Sequence, residues 1–145
     1  MSSPLVDKLF ENQRFKRGLQ NIYDYFILEE KIFTNQWNLF SFGLVYGILY
    51  KKTVQSNNRV GVMEIKTISD RHIQDILCMC YLILDDGRPA KEIYEQMWDY
   101  ADGGVTELYK MFNESKTIDL PSLIRDSEKL WINRVKDLQN INLKA

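Results

Sequence analysis

Residues 34–52, TNQWNLFSFGLVYGILYKK, form a helix-length run that is apolar on nearly every face. Between Trp37 and Tyr50 the large side chains cover the whole circumference of a helix, and such a helix belongs either inside a protein or in a bilayer. From Leu39 to Tyr50 there are only 12 residues, and a membrane span needs roughly 20. The run is therefore expected to be a central helix, about residues 35–51, sheltered by other helices. Thr34 offers a side-chain oxygen to cap its start, and Phe33 is placed to pack back as a hydrophobic staple. Lys51 and Lys52 suit the negative end of the helix dipole. Gly43 and Gly47 stand four apart on one face, which lets a second helix approach closely. Neither a preceding strand nor a phosphate-cradle spacing accompanies them.

The remaining segments read as helices around that centre. Pro4 fits the first turn of a short helix carrying Leu5, Leu9 and Phe10. Residues 15–30 place Leu19, Ile22, Tyr23, Phe26 and Ile27 on one stripe, so a second helix is expected there. Residues 53–61, TVQSNNRVG, are rich in turn formers and read as a mobile surface loop. Val60, Val62 and Ile65 suggest a short extended piece, marginal because no second strand is evident to pair with it. Ser69 and Asp70 are caps for a helix over residues 71–84, ended by Asp85-Asp86-Gly87. Pro89 opens a helix through about Tyr100, which Ala101-Asp102-Gly103-Gly104 is expected to stop. A short helix over residues 105–112 and a last one over about 120–138 complete the chain. The expected fold is all-α: a compact single-domain bundle, residues 1–145, of about six helices around the buried central one.

At 145 residues the chain is long enough to bury roughly two thirds of the surface its unfolded form exposes, so it needs neither disulfide nor metal to hold together. Cys78 and Cys80 are two apart in an apolar helix, where side chains diverge, and read as reduced core thiols. The first residues, MSSPLVDKLFEN, lack the basic-then-apolar succession of a secretory signal, and a cytoplasmic location is expected.

Catalysis needs a nucleophile with a base, a metal cluster or a phosphate loop. His72, the only histidine, falls near a helix start where an exposed side chain is ordinary. Glu29-Glu30 and Asp85-Asp86 are adjacent in sequence and diverge. Asp99 and Asp102 are three apart and can converge, but no His or Cys accompanies them as metal ligands. No nucleotide-loop, nucleophile-elbow or zinc-protease spacing occurs. No enzymatic activity, cofactor, metal or small-molecule substrate is expected.

Binding is better supported. The formal net charge is −1, which argues against a surface wholly devoted to nucleic acid. Residues 1–72 are nevertheless net +3 and residues 73–145 net −4. Arg14, Lys16, Arg17, Lys51, Lys52 and Arg59 are the candidate nucleic-acid contacts, if the start of the second helix lies near the end of the third. Their separate solvation at helix ends is the alternative. In the last helix, Leu130, Trp131 and Val135 are the candidate contacts to a protein partner.

Two stretches together resemble a known family. Ile32-Phe33-Thr34, then Trp37-Asn38-Leu39-Phe40, Phe42-Gly43 and Tyr46-Gly47 are similar to a block of the small bacterial proteins called DNA phosphorothioation-associated protein 4. In that block a Phe/Thr start leads to an apolar pair and a small-residue helix. The family closes with a Tyr-Ala-x-Gly-Gly segment leading to a glutamate and a leucine, and Tyr100-Ala101-Asp102-Gly103-Gly104-Val105-Thr106-Glu107-Leu108 resembles it in order and spacing. The resemblance covers about residues 31–110. It implies a place in a bacterial defence island, where modified self DNA is told from phage DNA and accessory subunits assist larger nucleases or ATPases. It implies no activity and carries over no catalytic residue. The expected role is a non-catalytic accessory subunit of an antiphage complex, bound to larger proteins of the same operon and not to a membrane, with direct DNA binding as the alternative.

Overall fold

In the computed structural model, which describes residues 4–144, helices alternate with one small ribbon. In order they are α1 (Pro4–Phe10), β1 (Arg14–Arg17), α2 (Gln20–Asp24), α3 (Gln36–Tyr50), β2 (Val60–Glu64), α4 (Arg71–Leu84), α5 (Ala90–Ser115) and α6 (Leu120–Lys144). A π-helical turn, Tyr25–Glu29, continues α2, and a 3-10 turn, Ile65–Thr67, follows β2. The six helices dominate, with 69% of the chain helical, but the fold is not strictly all-α because β1 and β2 pair. Among the described residues no helix is long and apolar enough to cross a membrane.

The central helix forms where the apolar run requires it. Its N-cap is Asn35 rather than Thr34: the Asn35 side chain accepts from the Asn38 N–H at 3.0 Å. Thr34 Oγ1 instead accepts from the Asn38 amide at 2.9 Å. Phe33 packs back as a staple does, 5.5 Å from Phe42 between ring centroids. Leu39, Phe40, Leu44, Gly43 and Gly47 are buried.

The most extensive contact in the fold is between α3 and α5, and it corrects the expectation of a break at residues 101–104. α5 runs unbroken from Ala90 to Ser115, and Ala101, Asp102, Gly103 and Gly104 are its most buried stretch. Glycines disfavour helix by about 1 kcal/mol each, yet here they permit a crossing that no other residue allows. A Cβ on Gly104 would stand 1.7 Å from the Gly43 carbonyl oxygen, and one on Gly47 2.0 Å from the Tyr100 carbonyl oxygen. The two short helices expected on either side of the glycines are one helix.

The second correction is the ribbon. Residues 15–19 were expected to begin a helix, but Phe15 and Arg17 point inward and Arg14 and Lys16 outward in the alternation of a strand. β1 pairs antiparallel with β2, Arg14 opposite Glu64 and Arg17 opposite Val60, with an irregularity between Arg14 and Lys16. Leu19, with φ 60, turns the chain before α2, so only the latter part of the expected helix forms. Residues 53–61 are not a free loop either. The Val54 N–H donates to the Asp99 carbonyl at 3.0 Å, and Arg59 anchors the segment to α5.

α4 begins at the expected cap, Asp70, whose carboxylate accepts from the His72 N–H at 2.9 Å. The buried residues of α1, β1 and α2 through α5 form one continuous core. α6 lies across α3 and α4 and contributes Leu123 to the interior.

Candidate functional site

The manner in which α6 lies on α3 and α4 creates the surface of interest. Arg134 donates to the Leu82 and Asp85 carbonyls, each at 3.0 Å, which places a cation on the negative end of the α4 dipole. Nearer its start, Asp126 accepts from the Tyr50 hydroxyl at 2.7 Å, and that bond is the main reason the Tyr50 pKa rises to about 12. Leu130 lines a narrow space together with Val45, Ile48, Met79 and Ile83. These contacts hold α6 between Asp126 and Arg134, and a space remains between its first half and the floor beneath it.

The space left is an apolar groove of about 460 Å³. Phe42 and Val45 of α3 and Ile76 and Met79 of α4 form the floor, and Leu123 and Ile124 of α6 form a wall. Past Ile32 and Phe33 it continues into a second hollow of about 330 Å³ against Phe112 and Ile118. Ile124 is 56% exposed and Ile32 41%. The few ionisable groups are at the margins, Glu128 beside the groove and Lys116 beside the second hollow. Chemically the groove can bury apolar side chains, with the hydroxyls of Thr34, Ser41 and Ser127 among its few polar groups.

The three residues expected to meet a protein partner divide. Leu130 is half-buried and lines a narrow space with Val45 and Ile48 of α3 and Met79 and Ile83 of α4. Trp131 and Val135 are half-buried, and at helical spacing they lie on the same flank of α6 as Ile124 and Glu128, which line the groove. The sequence reading missed Ile124 as well as the floor residues. The floor draws on α3 and α4 together, and no spacing within one segment announces it.

The six expected nucleic-acid contacts also divide. Arg14, Lys16, Lys51 and Lys52 are exposed. Arg17 is buried: its Nε donates to Gln36 at 2.7 Å, one Nη to Gln20 at 2.6 Å, and its guanidinium lies 4.8 Å over the Tyr23 ring. Arg59 is drawn in by α5, with Nη1 2.8 Å from Asp99 and Nε 2.7 Å from Asp102. These two arginines hold the fold together and leave the exposed set.

Asp99 and Asp102 do converge, as their spacing allows, but on Arg59. Asp102 also accepts from the Gly18 N–H at 3.2 Å, which ties the end of β1 to the middle of α5. Burial raises the Asp102 carboxyl above its ordinary range, and Arg59 and Gly18 offset this only in part. His72 is exposed. Cys78 and Cys80 are free buried thiols, pushed by burial to about 11 and about 12. Among the described residues no group of three or more His, Cys, Asp or Glu is arranged to hold a metal ion.

Compared with models of protein families, with curated proteins and with solved structures, the chain matches none.

Proposed function

We propose that this protein is a non-catalytic accessory subunit of a bacterial antiphage defence complex, of the DNA phosphorothioation-associated kind, and that it receives part of a larger nuclease or ATPase subunit in the apolar groove between α6 and the α3–α4 floor. The observation that carries this reading is the groove itself. Apolar surface gathered in one concavity and rimmed by polar groups marks an interaction site more often than scattered exposed residues do. Filling it would remove Ile32 and Ile124 from water at a gain of about 25 cal/mol per Å² covered.

The residues behind the family resemblance support the same reading. Gly43 and Gly47 of the first stretch and Ala101, Gly104 and Val105 of the second lie against each other in the α3–α5 crossing. The shared pattern thus describes a scaffold rather than a reactive centre. Direct DNA contact, the alternative, retains Arg14, Lys16, Lys51 and Lys52 and loses Arg17 and Arg59 to the interior.

Co-expression with the products of neighbouring genes, followed by affinity purification, tests the proposal. A stoichiometric complex with one larger subunit is the expected result. A monomer that binds none of them contradicts it.

A further inference from the structure

On another part of the surface from the apolar groove, β1, the segment after α3 and the first half of α5 enclose a polar cleft of about 600 Å³. Its size is that of a small-ligand site, and its lining differs in kind from the groove's. Lys16 enters from β1, Gln55 and Asn57 from the connecting segment, and Lys91 and Glu95 from α5. None of these five side chains makes a hydrogen bond or ion pair with another described residue. All five are exposed and face one concavity, where a ligand can reach them together.

Arg59 lines the cleft from behind. Its side chain is only 9% exposed, and three of its N–H groups are directed at Asp99, Asp102 and the Val54 carbonyl. Asp99 and Asp102 are both paired with this arginine, so its single charge offsets half of their combined formal charge. Lys16 and Lys91 then supply two free cations at the mouth. Tyr94 and Trp98, stacked at 6.1 Å with their planes 19° apart, give the cleft one apolar side.

We propose that this cleft binds a phosphate ester carrying a sugar and a planar base, with Lys16 and Lys91 on the phosphate. Charge-assisted hydrogen bonds from lysine and arginine are the usual means of holding phosphate. Glu95 is an acceptor suited to a sugar hydroxyl, and Gln55 and Asn57 offer both donors and acceptors to a base edge. The same chemistry is presented by a free nucleotide and by one residue of a single strand. The ligand is bound rather than transformed. The site is independent of the apolar groove, and either proposal stands if the other fails.

The test is calorimetric titration of the full chain with adenosine 5′-monophosphate and, separately, with an oligothymidylate of about ten nucleotides, a length within the range that one single-strand site covers. Binding of either that weakens about tenfold or more in K16A/K91A, the expected loss for charged hydrogen bonds, supports the proposal, and the tighter probe identifies the source of the phosphate. Lys129→Ala, on α6 outside the cleft, leaves binding unchanged. Amide shift changes in the unmodified protein on adding the bound probe are expected at residues 55–59 and 91–99, a readout that does not depend on any variant folding. No binding of either probe at millimolar concentration overturns the proposal, as does equal weakening by Lys129→Ala or shift changes confined to other segments.

Discussion

Gly104 of α5 packs directly on the Gly43 carbonyl of α3, so closely that a methyl group at position 104 would overlap that oxygen at 1.7 Å. The neighbouring atoms are backbone, which cannot rotate away, so the helices themselves would have to part. Substitution of Gly104 by alanine is therefore expected to destabilise by at least the roughly 3 kcal/mol at the upper end of overpacking effects, and Gly47→Ala to do much the same. Gly87→Ala is the contrast, since nothing lies within 4 Å and only its φ of 91° opposes a side chain, at about 1 kcal/mol. Urea denaturation of the three variants measures the order, and a Gly104→Ala protein as stable as Gly87→Ala would refute the close crossing.

The Arg59 ion pairs give a second expectation. Removing Arg59 leaves Asp99 and the buried Asp102 without their cation, and breaking a buried pair on one side costs about 3–5 kcal/mol. R59M/D102N, which removes charge from both sides, should lose less than the sum of the single changes. A double-mutant cycle that adds without coupling would contradict the geometry. Because burial raises the Asp102 carboxyl from its ordinary 3.8, the folded state holds that proton more tightly than the unfolded state. Its contribution is fully present below 3.8 and is lost as pH rises through the folded value. D102N should abolish that part of the pH dependence.

The two thiols titrate on the alkaline side. Burial is the main cause for both, with Asp75 adding to Cys78 and Cys78 adding to Cys80, and it holds them at about 11 and about 12 against an ordinary 9.0. At pH 8 the native Cys78 is thiolate in only about one molecule in a thousand. Labelling by a disulfide reagent should be slow in the native protein and complete within seconds in denaturant. The native state keeps its thiol protons where the unfolded state loses them, so stability should be level below pH 9 and fall as pH rises through 11 to 12. Fast labelling of both thiols in the native protein at pH 8 would contradict this placement.

Much of the helical scaffold was legible in the sequence. The apolar run identified α3, Asp70 identified the start of α4, and the Gly43–Gly47 spacing identified a close helix contact. The same reasoning named no partner for that contact. Gly103 and Gly104 read as a stop because glycine lowers helix propensity locally, whereas the burial that outweighs this comes from α3, more than fifty positions away. The ribbon was hidden for a similar reason: Phe15 stands four before Leu19 and fits the helical stripe as well as a strand, and only pairing with residues 60–64 decides between them. Charge gave no warning that Arg17 and Arg59 turn inward, since their partners Gln36 and Asp102 are distant in sequence. The apolar groove was least legible, because helix α6 has to be in place before its wall exists.

Ile124 supplies the most direct examination of the proposed role. It is over half exposed and forms the groove wall without belonging to the core, so I124D should leave the fold intact by circular dichroism and thermal melting. Once the larger subunit has been identified by co-purification, its affinity for the unmodified chain and for I124D can be compared by titration calorimetry. A loss of about 2 kcal/mol or more, roughly thirtyfold in Kd, is the expected effect of placing a charge at a buried apolar contact. Equal affinity of the two forms would contradict docking in the groove.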